Sequence, residues 1–142
     1  MAFEMNFGRH SRHVQFGGFD SNQGKIIILG ENWTGAAFKW SFSTVTNAEA
    51  GTAATGFTLN AAAAGAQGVS VAWDAAYVHP RSGQIVGASI ITPQIDKATL
   101  EALTFTGTAD LVLNHEFLAA PTGKPRREVC NGTLPVKQGI AS

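Results

Sequence analysis

The chain has a single cysteine, Cys130, so no intrachain disulfide can form and no thiol pair exists for a zinc-type CxxC site. Charge is sparse as well. Only 14% of the 142 residues are charged, and they cancel to a formal net charge of zero. That balance lacks the basic stripe of a nucleic-acid surface and the charge excess of a disordered tail, so no nucleic-acid partner is expected. Long apolar runs are missing too. Residues 26–30 and the alanines 61–64 fall far short of the roughly 20 residues of a membrane-spanning helix. Residues 1–8 carry no basic stretch followed by an apolar one, which predicts a chain made and used without a signal peptide and without a membrane contact. A near-neutral surface does little to keep copies apart, which suits a subunit of an assembly.

What is present alternates. In residues 109–117, Ala109, Leu111, Leu113, His115 and Phe117 fall on one face, and Asp110, Val112, Asn114 and Glu116 on the other, the period of a strand. Turn chemistry at Pro121, Thr122, Gly123, Lys124 and Pro125 leads into a second strand over 126–136, with Cys130, Leu134 and Val136 on one face. Pro135 cannot donate to a ladder and predicts that this strand lies at a sheet edge near its end. Residues 36–43 alternate cleanly, with Phe38, Trp40 and Phe42 inward and Lys39 and Ser41 outward.

Shorter extended segments are expected at 2–7 and 12–16 around a turn at Gly8, with Phe3, Met5 and Phe7 on one face packed on this domain or on a neighbouring copy. Residues 25–29 read as a strand buried on both faces, and 56–60, 68–73 and 84–91 as further strands. A polar loop is expected over 44–55 and a long hairpin tip over 74–83. Thr92 as N-cap and Pro93 at the first helical position predict a helix over 92–103, with Ile95, Leu100 and Leu103 facing the sheet. The pattern predicts one domain over 1–142 with an extended N-terminal segment to about residue 24. Its class is mainly β, an immunoglobulin-like antiparallel β-sandwich with one short helix.

Candidate chemistry reads as structural. Arg9, His10, Arg12 and His13 have no carboxylate close in sequence to complete a metal site, and a solvated or inter-subunit polar patch is the better reading. His115–Glu116 lacks the second histidine of HExxH and lies on an alternating strand. Asp74, His79 and a serine make a triad on paper only, since no nucleophile elbow is present. Residues 30–35 hold two glycines without the GK[ST] of a P-loop, and Cys130 reads as a small core residue. No catalytic, cofactor or metal residue is assigned. Lys124 and Arg126 at the hairpin tip, with Arg127, and the loop aromatics Trp33 and Tyr77 are candidates for contact with a partner.

Trp33, Thr34 and Gly35 leading into residues 36–42, the strand-to-helix stretch 92–103 ending Leu-Glu-Ala-Leu, and residues 109–117 with 131–136 carry a resemblance in segments over about 25–140. The chain resembles a small immunoglobulin-like domain of tailed-phage virion proteins, of the kind at the N-terminus of baseplate upper proteins and in fibre-associated proteins. It departs in a longer insertion between Asn60 and Gln84, in an aromatic N-terminal segment, and in lacking a long receptor-reaching C-terminal region. The resemblance implies no enzyme and no cofactor. It implies a virion structural protein of the tail, baseplate or fibre-attachment region, assembled in the host cytoplasm, with other virion proteins and its own copies as partners. The contact residues would be Phe3, Met5, Phe7, Arg9, His10, Trp33, Tyr77, Lys124 and Arg126. A capsid decoration protein is the alternative, followed by a carbohydrate-binding module stacking Trp33, Tyr77 and Trp73 on sugar rings.

Overall fold

The computed structural model describes residues 3–18, 21–44, 56–105 and 109–139. In chain order these form β1 (Phe3–Glu4), β2 (His10–Ser11), β3 (Phe16–Gly17), β4 (Ile26–Leu29), β5 (Ala37–Ser43), β6 (Gly56–Asn60), β7 (Gly68–Asp74), β8 (Ala88–Ile95), α1 (Lys97–Glu101), β9 (Leu111–Ala120) and β10 (Arg127–Lys137). The strands make two sheets packed into a β-sandwich. The first runs β1-β10-β9-β5-β6, with β2 also on β10, and the second has β8 at its centre. The polar loop expected over 44–55 lies, from residue 45 on, outside the described residues, as do residues 2, 20 and 108.

Alternation placed the core. Phe38, Trp40 and Phe42 of β5 are buried, and β9 answers with Leu113, His115 and Phe117. Their register sets Trp40 opposite Phe117, and the two rings stack with centroids 4.4 Å apart. The β9–β10 hairpin forms as its sequence predicts, closed by Lys124 N–H donating to Pro121 O, with Leu134 opposite Leu113 and a bulge between Glu128 and Cys130. From β8 and β7, Ile91, Ile95 and Val69 close the other side, and Leu100 and Leu103 cap it from the helical segment.

Four expectations are corrected. Gly8 is not a turn: residues 3–12 run alongside β10 in parallel, pairing Phe3 with Cys130 and His10 with Val136, one residue more on their side than on β10. The N-terminal segment therefore packs on its own domain, with Met5 and Phe7 against the core. β10 is consequently not an edge strand. Asn131 and Thr133 accept from Met5 and Phe7 N–H, and Lys137 accepts from Arg12 N–H, so odd residues of β10 face the N-terminal segment. Pro135 shares that parity, so the N–H it lacks points to the junction between β1 and β2 and not to β9.

The helix also starts later than its sequence predicts. Thr92 and Pro93 continue β8, where Pro93 pairs with Val69 and its carbonyl accepts from Gly18 N–H at 2.8 Å. A Cβ on Gly17 would stand 2.2 Å from that oxygen, so glycine there permits the approach. Asp96 takes the N-cap position, its side chain accepting from Gln94 and its N–H donating to Gln67 Oε1. Lastly, β4 is not buried on both faces: Ile26 is buried, while Ile27 and Leu29 are 43% and 38% exposed. On that face of the second sheet Ala88 and Gln94 of β8 are covered, and Ile27 and Leu29 at its β4 side stay open.

Removing Trp40 deletes the ring on which Phe42 and Phe117 stack and orphans the ring nitrogen of His115. Trp40→Ala is expected to cost about 3–5 kcal/mol in urea unfolding. A loss below about 1 kcal/mol would mean that this cluster does not anchor the sandwich.

Candidate functional site

His115 is a buried polar group with both ring nitrogens engaged. Trp40 Nε1–H donates to His115 Nδ1 at 3.0 Å, and His115 Nε2 lies 2.6 Å from Met5 O. An indole N–H only donates and a carbonyl only accepts, so the imidazole is the neutral tautomer with its proton on Nε2. Met5 O reaches inward past Gly132, where an added Cβ would lie 2.1 Å from it. Asn6 Oδ1 then accepts the Thr133 N–H that faces the N-terminal segment. Burial holds the imidazole below its ordinary value, with the bond to Met5 O working the other way. The face of His115 was legible in the alternation of β9, but neither of its partners was.

The Arg9–His13 cluster is dispersed. Arg9 forms a two-bond pair with Asp110, at 2.6 and 2.9 Å. His10 turns inward to Val14 O and Gln23, Arg12 lies over the Phe105 ring, and His13 meets Glu101 at 2.8 Å. Among the described residues no three histidine, cysteine or acidic side chains converge as metal ligands. Cys130 is fully buried and its thiol is pushed up to about 12 by burial, which leaves it un-ionised and inert at neutral pH.

Trp33 is corrected as an exposed contact residue. It is 2% exposed, its backbone N–H donates to Ser89 Oγ, its indole N–H to Glu31 Oε2, and the Arg127 guanidinium covers its ring at 4.9 Å. His10 is likewise buried, and Met5 and Phe7 are half-buried against the core. Phe3 keeps 43% exposure, and Arg9, Lys124 and Arg126 are exposed. Tyr77 is half-buried, with backbone bonds to Asp74, Val86 and Gly87 in the hairpin tip. Trp73 is covered on one side by Gly87, where a Cβ would meet the indole at 2.6 Å. The structure does not bring the predicted contact residues into one patch.

A trough of about 480 Å³ crosses the outer face of the first sheet, lined by Glu4, Asn6, Asn114, Glu116, Glu128 and Asn131 among others. Glu128 accepts from Asn131 Nδ2 at 2.6 Å. Partial burial, and next the neighbouring Glu128, raise the Glu116 carboxyl above its ordinary value, with Lys39 opposing. The trough offers hydrogen bonds and negative charge. His115 borders it, but both ring nitrogens are committed to Trp40 and Met5, so it is no base for Ser41 or Ser43 beside it.

Two pH effects follow. An unfolded histidine takes a proton near about pH 6.5, and folded His115 resists it, so its contribution is complete above that pH and is lost as pH falls through it. The melting temperature is expected to drop between about pH 7 and about pH 5, and more steeply than in His115→Gln, which starts lower and does not titrate there. Equal slopes would overturn the neutral-imidazole assignment. Glu116→Gln has the opposite sign, stabilising by roughly 0.5 kcal/mol at neutral pH. Its gain fades as pH falls and the raised Glu116 carboxyl takes up its proton. No protein-family model matches this chain, and no curated protein matches it.

Proposed function

We propose that the chain is a non-enzymatic structural subunit of a tailed-phage virion, in the tail, baseplate or fibre-attachment region, working through protein–protein contacts. The observation that carries this reading is the apolar face and edge of β4, Ile-Ile-Ile-Leu with Ile27 and Leu29 exposed. Edge strands that stay solvated are normally blunted by shortness, charge, proline or a bulge, and β4, four residues long, has no charge, proline or bulge within it. A second support is where the ionisable groups go. Arg9 with Asp110, Arg127 with Glu31, and His13 with Glu101 tie distant segments together, as His115 ties Trp40 to Met5.

The immunoglobulin-like virion resemblance supplies the biological setting, and a capsid decoration protein would use the same surfaces. The glycan reading loses Trp33, which is covered by Arg127, and keeps the half-buried Tyr77 and Trp73. Mass spectrometry of gradient-purified particles from the source is the test. The chain is expected in multiple copies per particle and retained through a high-salt wash, with immunogold labelling separating tail from head. Its absence from purified particles overturns the reading.

A further inference from the structure

The bonding phase of β4 can be read from its neighbours. Gly30 N–H donates to Gly87 O at 2.9 Å, and the ladder pairs Ile28 with Ser89 and Ile26 with Ile91 in the same register. Backbone groups alternate sides along a strand, so Ile26, Ile28 and Gly30 face β8, while the N–H and C=O of Ile27 and Leu29 point away from it. β7 fills the other flank of β8, and β3 lies end to end with β4. No backbone bond or bridge from the described residues reaches the outer flank of Ile27 and Leu29.

We propose that β4 pairs antiparallel with β4 of a second copy about a two-fold axis at Ile28, joining the two second sheets into one continuous sheet. The register follows from which groups are free. An antiparallel partner must set an odd residue against an odd residue for both to bond. An axis at Ile27 would send Leu29 against Lys25, whose N–H is already taken by Asn22 O. An axis at Leu29 would send Ile27 against Glu31, beyond the turn at Gly30, where φ is 76°. Only the axis at Ile28 sets Ile27 opposite Leu29 twice, using both free donors and both free acceptors of each copy.

Charge complementarity favours a second copy over another partner. Lys25 has no ion-pair partner among the described residues, and Glu31 closes the other end of the strand with its Oε2 taken by Trp33 and Arg127 and its side chain still 42% exposed. The same axis brings each lysine to the glutamate end of the other chain. Side chains of Ile27 and Leu29 from both copies then form one apolar strip. The contact is short, so a reversible dimer is expected, suited to a multi-copy particle. The proposal deepens the assembly reading and rests on it for the biological use of the contact.

Sedimentation of the full chain over a concentration series tests it. A monomer–dimer equilibrium is expected, weakened about tenfold by Lys25→Glu, which turns two attractions into repulsions. Ile27→Pro removes an outward N–H without breaking a bond to β8 and is expected to leave a folded monomer, checked by circular dichroism. Under mild oxidation Ile28→Cys is expected to give a covalent dimer faster than Ile27→Cys or Leu29→Cys. Those two place like residues diagonally, roughly 7–8 Å apart, beyond disulfide reach. Buried Cys130 does not compete. A wild-type monomer at every concentration, or a dimer with no preferential cross-link at Ile28→Cys, overturns the proposal. Monomer in solution with the chain still present in particles leaves the virion reading standing; a dimer from a protein absent from particles does the reverse.

Discussion

A neutral imidazole between a donor that cannot accept and an acceptor that cannot donate is the constraint on which the first sheet depends. His115 joins β5 through Trp40 to the N-terminal segment through Met5 O, across the width of the sheet. Gly132 supplies the space, because any side chain there would meet the carbonyl. Asn6 replaces that carbonyl as acceptor for Thr133, so drawing Met5 O inward leaves no ladder N–H unpaired at this point. Leaving such a buried group unpaired costs about 1–3 kcal/mol. Met5 and Phe7 are therefore parts of the sandwich wall, with Phe7 against both Phe16 and His115.

The prolines show how a correct local rule led to a wrong global placement. Pro135 and Pro93 both lie inside strands that have neighbours on each side. In each case the missing N–H faces the flank where two short strands meet end to end, β1 with β2 beside Pro135 and β3 with β4 beside Pro93. Each proline sits where the flanking ladder breaks. From sequence, a proline in an alternating run can only be read as an edge or a helix start, because the broken flank is built by residues more than sixty positions away.

Alternation made the faces of β5, β9 and β10 legible, since a period of two is a local property with one solution once a face is apolar. It failed at β4, where four apolar residues in a row carry no period. Two-sided burial and an exposed edge then look alike, and the exposure of Ile27 and Leu29 decides between them. Trp33 was misplaced for a related reason. Its loop position was right, but Arg127 and Ser89 come from two distant places in the chain, and together with the neighbouring Glu31 they convert an exposed aromatic into a buried one. Sequence distance hides that kind of enclosure.

The edges of the two sheets are treated unequally, and this asymmetry bears on function. On the first sheet the N-terminal segment covers β10 and presents Glu4, Asn6 and Arg9 outward, while β6 at the far side carries Thr58 and Asn60 on its outer face. On the second, β7 carries Ser70 and Asp74 on its solvent face, and β4 carries only isoleucine and leucine. A chain with so little charge has few residues with which to guard an edge, and those present near β4 stand at its two ends, Lys25 before it and Glu31 after it. Opposite signs at the ends of an apolar strand do not repel a second copy that runs antiparallel to it. They disfavour a parallel neighbour, which would set like charges together, and so select orientation without blocking approach. The same four residues thus lack the guards of a protected edge and suit the proposed antiparallel pairing.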